Sequence, residues 1–159
     1  MGNVIMAAGI NPVFPQTPNI GLADIVQTSA QVKSDGTSAG TAGADIMYKG
    51  FTAGANGSFV EEIRFYVTAS AAATNSVATT LRAYLSTVSA PGATTAADTW
   101  LIGEVSVPII AASHSTNATN YYSIILNKPI PTGYYIHVSQ HIAQTANQHW
   151  KAIVYGWDY

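Results

Sequence analysis

The chain has 159 residues, of which 48% are hydrophobic and only 9% carry a full charge, with a formal net charge of −2. Soluble domains average roughly 25% charged residues, so this composition excludes charge-driven disorder and the basic surface that phosphate binding needs. With no cysteine, disulfides, thiolate catalysis and cysteine zinc sites are removed together.

No apolar run approaches the ~20 residues of a membrane-spanning helix, so no membrane partner is expected. The first residues lack the basic region of a secretory leader. Ala, Thr, Ser, Gly and Asn stand where charges usually do. Such a surface loses little on docking because few ions need be desolvated, which points to a subunit packed against others.

Residues 1–43 read as an extended N-terminal arm. Pro12, Pro15 and Pro18 exclude a helix there and favour extended backbone. Residues 20–32 can supply a strand, but their pattern is untidy. The competing reading is an irregular first strand and a long loop of the same domain. The run Ser34-Asp35-Gly36-Thr37-Ser38-Ala39-Gly40-Thr41-Ala42-Gly43 has the composition of a flexible linker. It lacks the Gly-Lys-Ser/Thr ending of a P-loop, and no helical pattern follows it.

From residue 44 to 159, period-two alternation dominates and predicts the folded domain. Phe59, Ile63, Phe65 and Val67 share a face opposite Arg64, Tyr66 and Thr68, while Glu61 falls on the apolar face and belongs at a rim or before the strand. Leu81, Ala83 and Leu85 alternate with Arg82, Tyr84 and Ser86. Leu101, Val105, Val107 and Ile109 alternate with Glu104, Ser106 and Pro108. Pro108 donates no ladder hydrogen bond, so it belongs at an edge or bulge. Tyr122, Ile124 and Leu126 follow, then Tyr134, Ile136 and Val138 opposite Tyr135, His137 and Ser139. Last, Trp150, Ala152 and Val154 alternate with Lys151, Ile153 and Tyr155. Turn dipeptides such as Asn56-Gly57 and Pro91-Gly92 separate these runs. About seven or eight strands at this spacing predict an all-β, antiparallel sandwich or closed barrel.

Candidate chemistry is thin. His137 and His141 would chelate a metal at i,i+4 on a helix, but on a strand four residues span roughly 13 Å, too far for one ion. His149 follows a loop, and a hairpin would bring it toward His141 as a two-histidine site. Glu61 and Glu62 point to opposite faces of a strand and cannot act as a paired acid and base; Glu62 is expected to pair with Arg64 or Lys151. Asp45 and Asp98 are the carboxylates open to a Ser/His/Asp arrangement, yet no G-x-S-x-G elbow accompanies them. No metal, cofactor or enzymatic activity is therefore expected. The aromatics carry more: six of the nine tyrosines lie beyond residue 120, and the chain ends Tyr155-Gly156-Trp157-Asp158-Tyr159. Tyr and Trp are favoured at protein interfaces and sugar sites. In the Tyr121-Tyr122 and Tyr134-Tyr135 pairs, one ring should be core and the other outward. The terminal Trp-Asp-Tyr is expected to close a strand or dock on a neighbour.

Ser34-Asp35-Gly36-Thr37 through Asp45-Ile46-Met47-Tyr48, Phe51-Thr52-Ala53-Gly54-Ala55-Asn56-Gly57, Trp100-Leu101-Ile102, Ser139-Gln140-His141 and the closing Gly156-Trp157-Asp158-Tyr159 resemble small virion structural proteins of tailed bacteriophages. The resemblance spans most of residues 34–159. It implies an antiparallel β-sandwich of jelly-roll type, preceded here by the extended arm. It also implies a capsid decoration (cement) role in the virion, assembled in the host cytoplasm. The expected partners are the major capsid protein or other virion proteins, and further copies of the chain, with a trimer favoured. It brings no catalytic residue. On this reading Phe14, Ile20, Leu22 and Ile25 of the arm, with Tyr135, Tyr155, Trp157 and Tyr159, are the partner-binding residues. The alternative is a tail or fibre component in which Tyr135, Tyr155 and Trp157 stack on host carbohydrate.

Overall fold

Alternation of apolar and polar side chains builds two four-stranded antiparallel sheets in the computed structural model, which describes residues 17–26, 33–38, 46–71, 74–115 and 121–159. The strands are β1 (Thr17–Ile25), β2 (Tyr48–Thr52), β3 (Ser58–Ala69), β4 (Thr74–Asn75), β5 (Thr79–Ser86), β6 (Thr99–Val107), β7 (Ala111–Ala112), β8 (Tyr121–Ile130), β9 (Tyr135–Gln140) and β10 (Gln148–Asp158). One sheet has the order β1-β10-β3-β8 and the other β2-β9-β5-β6, while β4 and β7 form a two-residue ladder. No helix among the described residues is long and apolar enough to cross a membrane.

One core joins the two sheets. Ile25, Val60, Ile63, Phe65, Ile124, Trp150 and Val154 from the first meet Phe51, Leu81, Ala83, Ile136 and Val138 from the second. The alternations expected at 122–126 and 150–154 place Ile124, Leu126, Trp150, Ala152 and Val154 inside, with Tyr122 packed against them. Trp150 is the largest fully buried side chain, and Tyr122 meets its ring edge-on at 6.2 Å.

Three stretches differ from the sequence reading. In β3 the register against both neighbours slips at Glu61, where a β-bulge adds one residue. The inward set is therefore Val60, then Ile63, Phe65 and Val67, and Phe59 turns outward. A carboxylate on the core face would be costly, and the bulge leaves Glu61 exposed. In β6 the register slips against β5 between the Ala83–Gly103 and Tyr84–Leu101 pairs, which breaks the simple alternation. β6 is an edge strand and ends at Val107, so Pro108 falls just past it.

The third correction concerns the arm. Thr17–Ile25, within the predicted 1–43 arm, is a full strand of the first sheet, paired with β10 from Thr17–Asp158 to Ile25–Trp150. Its pattern reads as untidy because the inward positions include Gly21 and Ala23 while Ile20 and Leu22 face outward. The small inward residues let the backbone of β1 touch that of β2: a Cβ at Gly21 would lie 1.8 Å from the Gly50 carbonyl oxygen. Part of the predicted flexible run is ordered as well. Gly36 N–H donates to Lys33 O at 3.3 Å, and the Asp35 carboxylate accepts from Thr37 N–H at 2.9 Å.

At the far end, β10 takes in Trp157 and Asp158, so the C-terminal aromatics do close a strand. The Asp158 carboxylate fastens three strands there, accepting from Asn19 Nδ2 at 2.7 Å and from Ser58 Oγ at 2.5 Å.

Candidate interaction surface

The outer faces of the two four-stranded sheets are treated differently by the chain. On the β2-β9-β5-β6 sheet, Tyr84, Ser86, His137 and Ser139, outward by parity, are covered by the chain's own loops, while Glu104 and Ser106 of edge strand β6 stay exposed. Tyr84 is fully buried and packs on Met47, and its hydroxyl donates to Lys33 O at 3.1 Å. Ser38 N–H donates to Thr94 O at 3.1 Å, and Thr94 Oγ1 reaches Met47 Sδ at 3.9 Å. Thr99 Oγ1 lies 2.8 Å from Ser86 Oγ and 2.8 Å from the Asp98 carboxylate. Residues 33–38 and 87–98 thus form a lid over this sheet.

His137 lies under that lid and is fully buried. Its Nε2–H donates to Val88 O at 2.8 Å, Tyr135 stacks on it at 6.4 Å, and its Nδ1 has no partner. Burial pushes the imidazole pKa below its ordinary value, the Val88 bond opposes this, and Lys49 adds to the lowering. The unfolded chain therefore takes up this proton first. Stability is fully present above about pH 6.5 and falls as the pH drops through the window down to the lowered folded pKa, by at most about 1.4 kcal/mol per pH unit. Urea denaturation at pH 7 and pH 5 should show this loss, and His137→Gln, which keeps an N–H donor but does not titrate, should flatten it. An unchanged pH slope in that variant would rule out His137 as the source.

The outer face of the β1-β10-β3-β8 sheet is bare among the described residues. Its rows follow from the register. Pro18, Trp157, Phe59 and Pro129 make one; Ile20, Tyr155, Glu62 and Ile125 the next; then Leu22, Ile153, Arg64 and Ser123; then Asp24, Lys151, Tyr66 and Tyr121. Leu22 is 70% exposed, Ile125 61%, Ile20 56% and Tyr121 47%. The charges in the middle are already matched. Arg64 bonds Glu62 and lies between the Tyr121 and Tyr155 rings, 4.8 and 4.9 Å from their centroids. Lys151 Nζ is 2.6 Å and His149 Nδ1 3.0 Å from the Asp24 carboxylate. Burial raises the Asp24 pKa, but these two partners outweigh it and hold the carboxyl below its usual range.

The sequence-predicted partner residues therefore divide. Ile20 and Leu22 of β1 join Tyr155 and Trp157 of β10 on the bare face. Ile25 does not: it is fully buried in the chain's own core and unavailable to a partner. Tyr135 is on the outer side of the other sheet, beside the lid. Tyr159 follows β10, its N–H donating to Gly57 O at 3.2 Å. Phe14 lies outside the described residues. Ile125, Ile153 and Tyr121 were not singled out as partner residues, although the outward parity of each was readable from the buried neighbours on its strand.

The candidate catalytic groups are spent elsewhere. Asp98 accepts from Thr95 N–H at 2.9 Å, Thr95 Oγ1 at 2.7 Å and Thr99 Oγ1, and the Thr95 backbone bond leads the lowering of its pKa. His141 Nδ1 accepts from Arg82 Nη1 at 3.2 Å, and His149 turns to Asp24 rather than to His141. Asp45 lies outside the described residues. Among the described residues no group of three or more His, Cys, Asp or Glu could hold a metal ion. No protein-family model, curated protein or solved structure matches the chain.

Proposed function

We propose that the chain is a structural subunit of a tailed-bacteriophage virion, most concretely a decoration protein that binds the major capsid protein lattice as a homo-oligomer. The observation that carries this reading is the contrast between the faces. Loops cover the outer side of β5 and β9 in one sheet, leaving Leu101 of its edge strand exposed, while the other leaves Ile20, Leu22, Ile125 and Tyr121 exposed. Apolar side chains left exposed along both edges of one sheet face point to an interaction site. The strand order supports it. Without the two-residue β4 and β7, the remaining eight strands run first-eighth-third-sixth and second-seventh-fourth-fifth. That is the order of a jelly roll, an architecture common in viral capsid and lectin domains. Quantitative mass spectrometry of virions against the major capsid protein tests the reading. Copies on the order of hundreds are expected for a surface lattice subunit, and absence from the particle would overturn it.

A second reading, a tail or fibre module that binds host carbohydrate, is favoured by one observation. Tyr155 and Trp157 stand two residues apart on the same outer face, about 7 Å along the strand. Tyr135 is on the other side of the sandwich and does not join them. A low copy number together with saturable quenching of Trp157 by host polysaccharide would favour this module over the capsid subunit.

A further inference from the structure

We propose that the bare outer face of the β1-β10-β3-β8 sheet packs against the same face of a second copy, about a two-fold axis parallel to the strands. The inference deepens the structural-subunit reading and rests on it. Three features of the face select a second copy as its occupant.

The first is charge. The face carries Asp24 and Glu62 against Arg64 and Lys151, so it is formally neutral. Asp24 is bonded to Lys151 and Glu62 to Arg64. Glu61, the bulge residue, is exposed and stands outside these rows. A partner of opposite charge would be recognised by an excess of one sign. A self-packing face must instead avoid meeting its own excess, and internal pairing achieves that.

The second is placement. The most exposed aliphatics lie on the two edge strands: Ile20 and Leu22 on β1, Ile125 on β8. A two-fold along the strands sets β1 of one copy over β8 of the other. Because that axis preserves position along the strands, Ile20 then meets Ile125 of the partner subunit from the same register row. The central strands cross as β10 over β3, which stacks the Tyr155–Arg64 ladder against its own copy. Pro18 likewise meets Pro129 of the partner subunit, while Leu22 lies over the partner's Ser123 and Asp24 over the partner's Tyr121, so the apolar match is made in the Pro18 and Ile20 rows. A three-fold assembly needs two different complementary patches instead.

The third is area. Eight residues at ~3.3 Å along four strands ~4.8 Å apart cover roughly 500 Å² in plan. Accessible surface exceeds plan area, so two copies together bury on the order of 1,000–1,500 Å², which reaches the range of stable protein interfaces.

The absence of cysteine makes the test clean. Ile20 and Ile125 are separated by three strand spacings within one chain, roughly 14 Å, beyond the ~7 Å Cα limit for a disulfide. Packed sheets stand ~10 Å apart, also beyond that limit, so the Ile20→Cys, Ile125→Cys double variant should give a covalent dimer with a bifunctional thiol reagent spanning ~10 Å, too short to bridge the two positions within one chain. Sedimentation equilibrium should show the unmodified chain at twice the single-chain mass, and Leu22→Asp or Ile125→Asp should weaken that association at least tenfold. Both positions are exposed, so circular dichroism should report an intact fold, and Ile109→Asp, exposed elsewhere, should associate as the parent does. A monomer at millimolar concentration, a three-fold mass, or an unaffected Asp variant would overturn the proposal. If the aspartate variants lost their fold, failure of the cysteine pair to cross-link would overturn it alone. Virion content tests the structural-subunit reading separately, so the two can fail independently.

Discussion

Replacing Trp150 with alanine is expected to cost about 3–5 kcal/mol of folding stability, a large share of the 5–15 kcal/mol typical of a domain. Trp150 is fully buried at the centre of β10, the strand that pairs with both β1 and β3. Its removal leaves a cavity that the stiff sheet cannot close, and it strands Tyr122 without its edge-on partner. Trp150→Phe should behave differently. The indole Nε1 is buried with no hydrogen-bond partner, and an orphaned buried donor carries a desolvation cost of about 1–3 kcal/mol. Phenylalanine keeps a ring against Tyr122 and deletes that donor, so its loss should stay below about 1.5 kcal/mol, within the range of tolerated core swaps. Urea denaturation of the two variants checks both figures. A phenylalanine variant as unstable as the alanine one would mean that shape alone governs the site.

The same strand shows why part of the fold was legible and part was not. Trp150, Ala152 and Val154 alternate cleanly because β10 is central and flanked on both sides, so one face is core throughout its length. β3 is equally central, but the bulge at Glu61 shifts its parity midway, and only the misplaced carboxylate hinted at it. β1 hides for the opposite reason. Its inward residues are small because it closes against β2, and its outward residues are large because that face is bare, so the usual sign of the pattern is inverted.

The outer faces lay further from the sequence still. Tyr84, His137 and Ser139 occupy outward positions by parity yet are fully buried. Loops distant in the chain cover them, and periodicity carries no record of that. The bare face was half visible: Ile20, Leu22, Tyr155 and Trp157 could be singled out, but their assembly into one surface depends on β1 pairing with β10, 139 residues apart at Asn19 and Asp158.

Gly21→Ala is expected to destabilise the protein by about 1–3 kcal/mol or more, the usual cost of forcing an atom into closed packing. The added methyl would lie 1.8 Å from the Gly50 carbonyl oxygen and 2.8 Å from its carbon. Both are backbone, so no side chain can swing away and β1 must move off β2. Gly50→Ala is the control. Its Cβ would find Val154 Cγ2 at 3.4 Å and nothing closer, so the neighbour gives slightly and the loss should be well under that of Gly21→Ala. At roughly 2–4 °C per kcal/mol for a chain of this size, the midpoints of thermal unfolding should separate by several degrees. Equal losses would show that the β1–β2 contact does not depend on Gly21. Because β1 carries Ile20 and Leu22, hydrogen exchange should show the displaced strand opening first, and self-association should weaken with it. A variant that loses stability but keeps full association would uncouple the seating of β1 from the face it builds.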